Sequence, residues 1–181
     1  MSRIVIAKEY CSDMTAGMGP DRTDFEILAT LQKDGRLTNK ELAAQVGLAP
    51  SSCSVRVRQL REAGILKGAR AEVEPRAVGI GLQAMIAVRL KLHAKGELAE
   101  FTAHAVGLRE VVAVYHMAGP NDFLIHVAVR DADHLRQVAV EEFTARAEVE
   151  HMDTGLIFEF HHTGGLPIYC GEGDTTIPPQ A

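Results

Sequence analysis

Apolar residues from Asp21 to Gly64 recur at helical spacing, and from Leu82 onward they fall into short runs and alternations, so two kinds of architecture follow one another in this chain. Asp21 stands where a helix N-cap belongs; Phe25, Ile27, Leu28 and Leu31 then recur on one face until Asp34-Gly35 stops the pattern. Thr38 to Glu41, TNKE, has the capping-box form, and Leu42, Ala43 and Val46 face inward before Gly47 ends a helix of barely two turns. Pro50 is a good first residue for a third helix. At about 100° per residue, Cys53, Val57 and Leu60 of that helix fall within roughly 60° of one another and form a buried face. Ser51, Ser54, Val55, Arg58 and Glu62 lie opposite, with Arg56 on the flank.

After Gly64 the segment ILKGARAEV suits a short β-ribbon or a linker, and Glu74-Pro75 followed by AVGIG punctuates the chain. The second half predicts a strand from Leu82 to Leu92, a helix from Glu97 to Val106 with Leu98, Phe101 and Ala105 inward, and strands at Glu110–Ala118 and Phe123–Arg130. These two flank the turn Gly119-Pro120-Asn121-Asp122, and a helix at Asp133–Arg146 and a last strand at Glu150–His162 follow. The order βαββαβ makes a ferredoxin-like, four-stranded antiparallel sheet with both helices on one face and an apolar opposite face that needs a partner. The class is therefore α+β. Residues 1–20 form an extension without amphipathic period, expected to be disordered or a loosely attached strand. Residues 21–70 form a helix-turn-helix unit, 71–81 a linker, 82–163 the βαββαβ unit, and 164–181 an irregular tail whose Leu166, Ile168 and Tyr169 are available to pack on a neighbour.

Composition narrows the function. The 181 residues carry a net charge of -5, yet residues 21–70 hold nine Lys+Arg against six Asp+Glu while residues 71–181 hold eight against sixteen. A local basic face can bind phosphates inside an acidic protein. No apolar run approaches the ~20 residues of a membrane span, and the N-terminus has no signal-peptide pattern, so a cytoplasmic protein is expected. Cys11, Cys53 and Cys170 are odd in number and far apart, which argues against a disulfide framework or a zinc ribbon. Cys53, on the buried helix face, reads as a small core residue.

A short capped helix, a Gly turn, a Pro-started helix and an exposed arginine in that order describe a rod for a DNA groove. The DNA-contacting set is Thr38, Asn39, Ser51, Ser52, Ser54, Val55, Arg56 and Arg58. Arg58 suits a base edge or a phosphate and the serines suit phosphates or bases near the helix start. Val55 suits a thymine methyl, and Arg56 a phosphate or an acidic neighbour. Among the eight histidines, His116, His126, His161 and His162 can lie on adjacent strands, but no carboxylate or cysteine spacing completes a metal site, and none is expected. No phosphate loop, nucleophile elbow or His-Glu-x-x-His is present, so the chain is read as no enzyme and as needing no cofactor.

The string DRTDFEILATLQKDGRLTNKELAAQVGLAPSSCSVRVRQLREAGILKG and the later MAGPNDFLIHV resemble the leucine-responsive/asparagine-regulator (Lrp/AsnC) family of bacterial and archaeal transcription factors, over Asp21 to about Ile168. The resemblance implies a winged-type helix-turn-helix domain joined to a ligand-sensing domain, double-stranded DNA as partner, and control by an amino acid or related small molecule. It also implies dimers assembling into tetramers or octamers. On that basis the effector site comprises Met117, Gly119, Asn121, Asp122 and Thr154. Gly119 would admit a carboxylate to backbone N–H groups, Asp122 would pair with an ammonium, and Met117 and Thr154 would shape the side-chain pocket. The chain departs from the family at Ala49, where the recognition helix usually has a Ser cap, and at Val55, which replaces a frequently basic residue. The competing reading is a small-molecule sensor or assembly protein that keeps the helices without using them on DNA.

Overall fold

A computed structural model describes residues 19–91, 95–161 and 165–169, and divides the chain into two compact units that part after Ala71. The described part of the first unit holds α1 (Arg22–Lys33), α2 (Asn39–Gln45) and α3 (Pro50–Glu62). Asp21 caps α1 and forms a capping box with Asp24; Thr38 and Glu41 do the same for α2. Ile27, Leu42, Ala43, Cys53, Val57 and Leu60 are its buried core, with Leu28, Leu31, Val46, Ile65 and Leu66 packed around them. Gly47, at φ +68°, turns the chain between α2 and α3 in a conformation glycine adopts without strain. No strand occurs at residues 65–74, so the segment after α3 is a linker and not a ribbon. Leu166 docks its backbone on α1 through both polar groups of the Gln32 amide, which ties that part of the tail to the first unit.

The second unit opens with a 3₁₀ turn, Pro75–Val78, and continues as β1 (Leu82–Leu90), α4 (Lys95–Gly107), β2 (Val111–His116), β3 (Phe123–Val129), α5 (Ala132–Val138) and β4 (Val149–Ile157). The sheet order is β2-β3-β1-β4 with every neighbouring pair antiparallel. Strand alternation sends Ala84, Ile86, Val88 and Leu90 of β1 toward the helices, where the ring of Phe101 of α4 packs at a tilt against Phe123, centroids 4.8 Å apart, and Phe143 at 6.2 Å. Gly81 is required where it stands: its N–H bonds the Val129 carbonyl at 3.0 Å, and an added Cβ would overlap the Arg130 carbonyl oxygen.

Three expectations change. The second helix does not run unbroken to Arg146, because Ala139–Thr144 widens into a π-helical turn that buries Ala139 and Phe143. The last strand ends at Ile157, five residues short of His162, which lies outside the described residues. The sheet face away from the helices is mixed and not apolar, since the period of two that buries Ile86 and Val88 also puts Gln83, Arg89, His126, His151 and Asp153 on the other side.

His126 illustrates that face. It is 8% exposed, its Nε2 lies 2.8 Å from Gln83 Oε1, and the Phe160 ring stands 6.1 Å away. Burial pushes its pKa below the usual 6.5. A base whose folded pKa is depressed binds fewer protons folded than unfolded, so its contribution to stability is full above pH 6.5 and is lost as pH falls toward the folded value. Urea unfolding at pH 7.5 and pH 5 is therefore expected to show a loss of stability on acidification, and the His126→Gln variant a shallower one.

Candidate nucleic-acid interface and effector loop

Helix α3 begins without a side-chain cap, because Ala49 at the N-cap position has no oxygen to offer, and Pro50 supplies the first helical residue. Its buried stripe of Cys53, Val57 and Leu60 fixes which side looks out. Ser51, Val55 and Arg58 fall within about 60° on the outer side. Ser51 and Ser52 are exposed, Val55 is 42% exposed, and the Arg58 side chain is 68% exposed with, among the described residues, only a loose 3.8 Å approach to Glu62. Such an i,i+4 pair is worth a few tenths of a kcal/mol, so Arg58 is available to a ligand. Thr38 and Asn39 are exposed at the start of α2; the Thr38 hydroxyl is engaged with Glu41 at 2.7 Å, and this bond holds the Glu41 carboxyl below its usual pKa.

Two further members of the expected DNA set have other commitments. Ser54 turns its hydroxyl back onto the Pro50 carbonyl at 2.9 Å. Arg56 faces α1, where its Nη1 bonds Asp21 at 2.7 Å and Asp24 at 3.0 Å. Partial burial works to raise the Asp21 pKa, but the Asp24 N–H and the Arg56 guanidinium outweigh it and leave the pKa lowered. Asp24 is a residue that sequence reasoning passed over; its signal was the Asp-x-x-Asp spacing at the start of α1. Cys53 is buried, which pushes its thiol pKa up and leaves it a packing residue.

In the second unit, Met117, Gly119, Asn121 and Asp122 share the loop between β2 and β3. The Met117 N–H bonds the Asp122 carbonyl at 2.8 Å, closing the loop's base. Gly119 has φ +152° and nothing within 4 Å of the place a side chain would occupy, so the loop's crown is open. Asp122 does structural work that its spacing did not reveal: its Oδ2 accepts the Leu90 N–H at 2.8 Å and its own N–H bonds Val88 at 2.9 Å, which joins the loop to β1. Thr154 is not brought to this loop within one chain. It lies on β4, two strands across and three residues along from Asp122 in the sheet register, a separation of about 14 Å. Among the described residues no cluster of three or more His, Cys, Asp or Glu can hold a metal. His116 stacks on Phe123, and His161 pairs with Glu159.

Residues 20–67 match a family model for a winged helix-turn-helix DNA-binding domain, and residues 83–164 match the Lrp/AsnC ligand binding domain. The chain is 45% identical over 148 residues to the HTH-type transcriptional regulator AldR of Mycolicibacterium smegmatis, an alignment covering 82% of this chain and 86% of that protein. The chain belongs to the Lrp/AsnC family of transcriptional regulators. Within the Lrp/AsnC family it is also 36% identical to the leucine-responsive regulatory protein of Rhizobium meliloti, over 75% of this chain and 87% of the relative. The structure of a transcriptional regulator from Neisseria meningitidis in complex with L-Met superposes with a TM-score of 0.75 at 32% identity, covering 82% of this chain and 96% of that one. The chain is thus a transcriptional regulator with a helix-turn-helix DNA-binding unit and a ligand-binding unit of α+β class, in a family of regulators and not of enzymes. Among the described residues no helix is long and apolar enough to cross a membrane.

Proposed function

We propose that this Lrp/AsnC regulator reads an operator through Ser51, Ser52, Val55 and Arg58 of α3, with Asn39 on a backbone phosphate, and that an amino acid bound at the 117–122 loop changes its operator affinity. The observation that carries the reading is the outward stripe of α3, whose arginine has no packing role in its own unit. The amino-acid class is supported by the L-Met complex of the Neisseria relative. The open crown at Gly119 supports it too, because it admits a carboxylate to backbone N–H groups. Since Thr154 sits about 14 Å from Asp122 in one chain, it joins the pocket only from a second copy, and the regulator works as a homodimer or a larger homo-oligomer. Asp122 has two tasks in this reading, holding the loop to Leu90 and supplying negative charge beside an ammonium group.

The test is a thermal-shift screen of the full chain against the amino acids, in which a ligand at 100 times its dissociation constant adds about 2.7 kcal/mol of stability. One or a few amino acids are expected to raise the melting temperature. Asp122→Asn keeps an acceptor for the Leu90 N–H while removing the charge, and is expected to lose the shift. An unchanged shift in that variant would remove Asp122 from the effector site.

A further inference from the structure

The two carboxylates that receive Arg56 are the two that cap α1, and each divides its oxygens between the tasks. Asp21 accepts the Asp24 N–H at 2.9 Å on Oδ1 and Arg56 at 2.7 Å on Oδ2. Asp24 accepts the Asp21 N–H at 3.0 Å on Oδ2 and Arg56 at 3.0 Å on Oδ1. A single guanidinium nitrogen therefore closes a set of four hydrogen bonds, which forms only when the first turn of α1 is helical and α3 stands at one distance and one rotation from it. The Arg56 side chain is 31% exposed, that of Asp24 14% and that of Asp21 52%, so the bond to Asp24 is the one shielded from water. Charge-assisted bonds of this kind are directional, and they add to the non-directional packing of Cys53, Val57 and Leu60 that sets which side of α3 faces inward. With no side-chain cap on α3, the Arg56 bridge is, among the described residues, the side-chain hydrogen bond that ties this helix to another one. A phosphate approaching Arg56 would meet two carboxylates already within 3.0 Å of its guanidinium.

We propose that Arg56 is a positioning residue that aims the recognition helix by gripping the capping box of α1, and that it makes no contact with DNA. This rests on the reading that α3 carries the base contacts. The experiment uses the full chain, a duplex enriched by the parent from a random pool, and a random duplex of equal length, with affinities measured over a range of salt concentrations. Asp24→Asn and Arg56→Ala are each expected to weaken the enriched duplex about tenfold. Random-duplex affinity and its salt slope should stay unchanged, and the double variant should be no weaker than Arg56→Ala alone. A phosphate contact gives the opposite sign: Asp24→Asn removes one of the two carboxylate charges that hold the arginine and tightens both duplexes, while Arg56→Ala lowers the random-duplex salt slope by about 0.9 per contact. Either result overturns the proposal. Equal losses on both duplexes also overturn it, because Arg56 then supports the fold and not the aim of α3. A pool from which the parent enriches nothing removes the base-reading role of α3, and the proposal with it.

Discussion

Alanine in place of Arg58 is expected to lower operator affinity by about 1–3 kcal/mol for each recognition helix engaged, while the melting temperature stays within error of the parent. The two halves of that expectation have separate causes. The side chain is 68% exposed and, among the described residues, its one ion pair is a 3.8 Å approach to Glu62, so folding loses little when it is removed. The same exposure, on the outer side of a helix whose inner side is fixed by Cys53, Val57 and Leu60, leaves its guanidinium able to reach a groove floor or a phosphate if α3 docks as proposed. Fluorescence anisotropy at several salt concentrations separates the possibilities. Loss confined to the operator marks a base contact, and uniform loss with a salt slope smaller by about 0.9 marks a phosphate contact. Operator affinity equal to that of the parent at all salts would mean that α3 does not face DNA as described.

The Phe101→Ala variant is expected to lose about 3–5 kcal/mol of stability in the second unit, a large part of the total for a domain of this size. Phe101 is fully buried and its ring meets both Phe123 and Phe143, so no neighbour on a rigid sheet can move in to fill the space. The core of the helical unit is separate, made of Ile27, Leu42, Ala43, Cys53, Val57 and Leu60, and is expected to survive. Urea titration followed by circular dichroism should resolve an early transition in the variant with helical signal remaining. If the second unit presents two recognition helices at a set spacing, high-affinity operator binding disappears with that early transition and weak binding to random DNA remains. A loss of under about 1 kcal/mol would place Phe101 outside the core and the helix register in error.

Much of this was legible along the chain because periodicity and caps are local signals. The buried trio of α3, the capping box at Thr38 and the order of sheet and helix elements all follow from spacing alone. The relations between elements were not legible. Arg56 was placed on a flank by the helical wheel, but nothing in the spacing of α3 shows that Asp21 and Asp24, over thirty residues earlier, stand ready to receive it. Asp122 reads as a turn residue, and its bond to Leu90 depends on the register of β1 against β3. The π-helical turn at Ala139–Thr144 hides in a pattern that a plain helix also satisfies. The mixed character of the outer sheet face follows from strand period, yet the apolar runs in β1 and β3 mask Gln83 and His126. Thr154 was joined to the loop by family resemblance, and the sheet register separates them within one chain.

The most direct measurement is operator affinity of the full chain with and without the amino acid that raises its melting temperature. For a regulator built as described, that amino acid changes the dissociation constant for the enriched duplex about 5- to 150-fold, the range of ordinary coupling between two sites, and leaves the random duplex unaffected. An amino acid that stabilises the protein yet leaves operator affinity unchanged would contradict the coupling of loop and recognition helix on which this function rests.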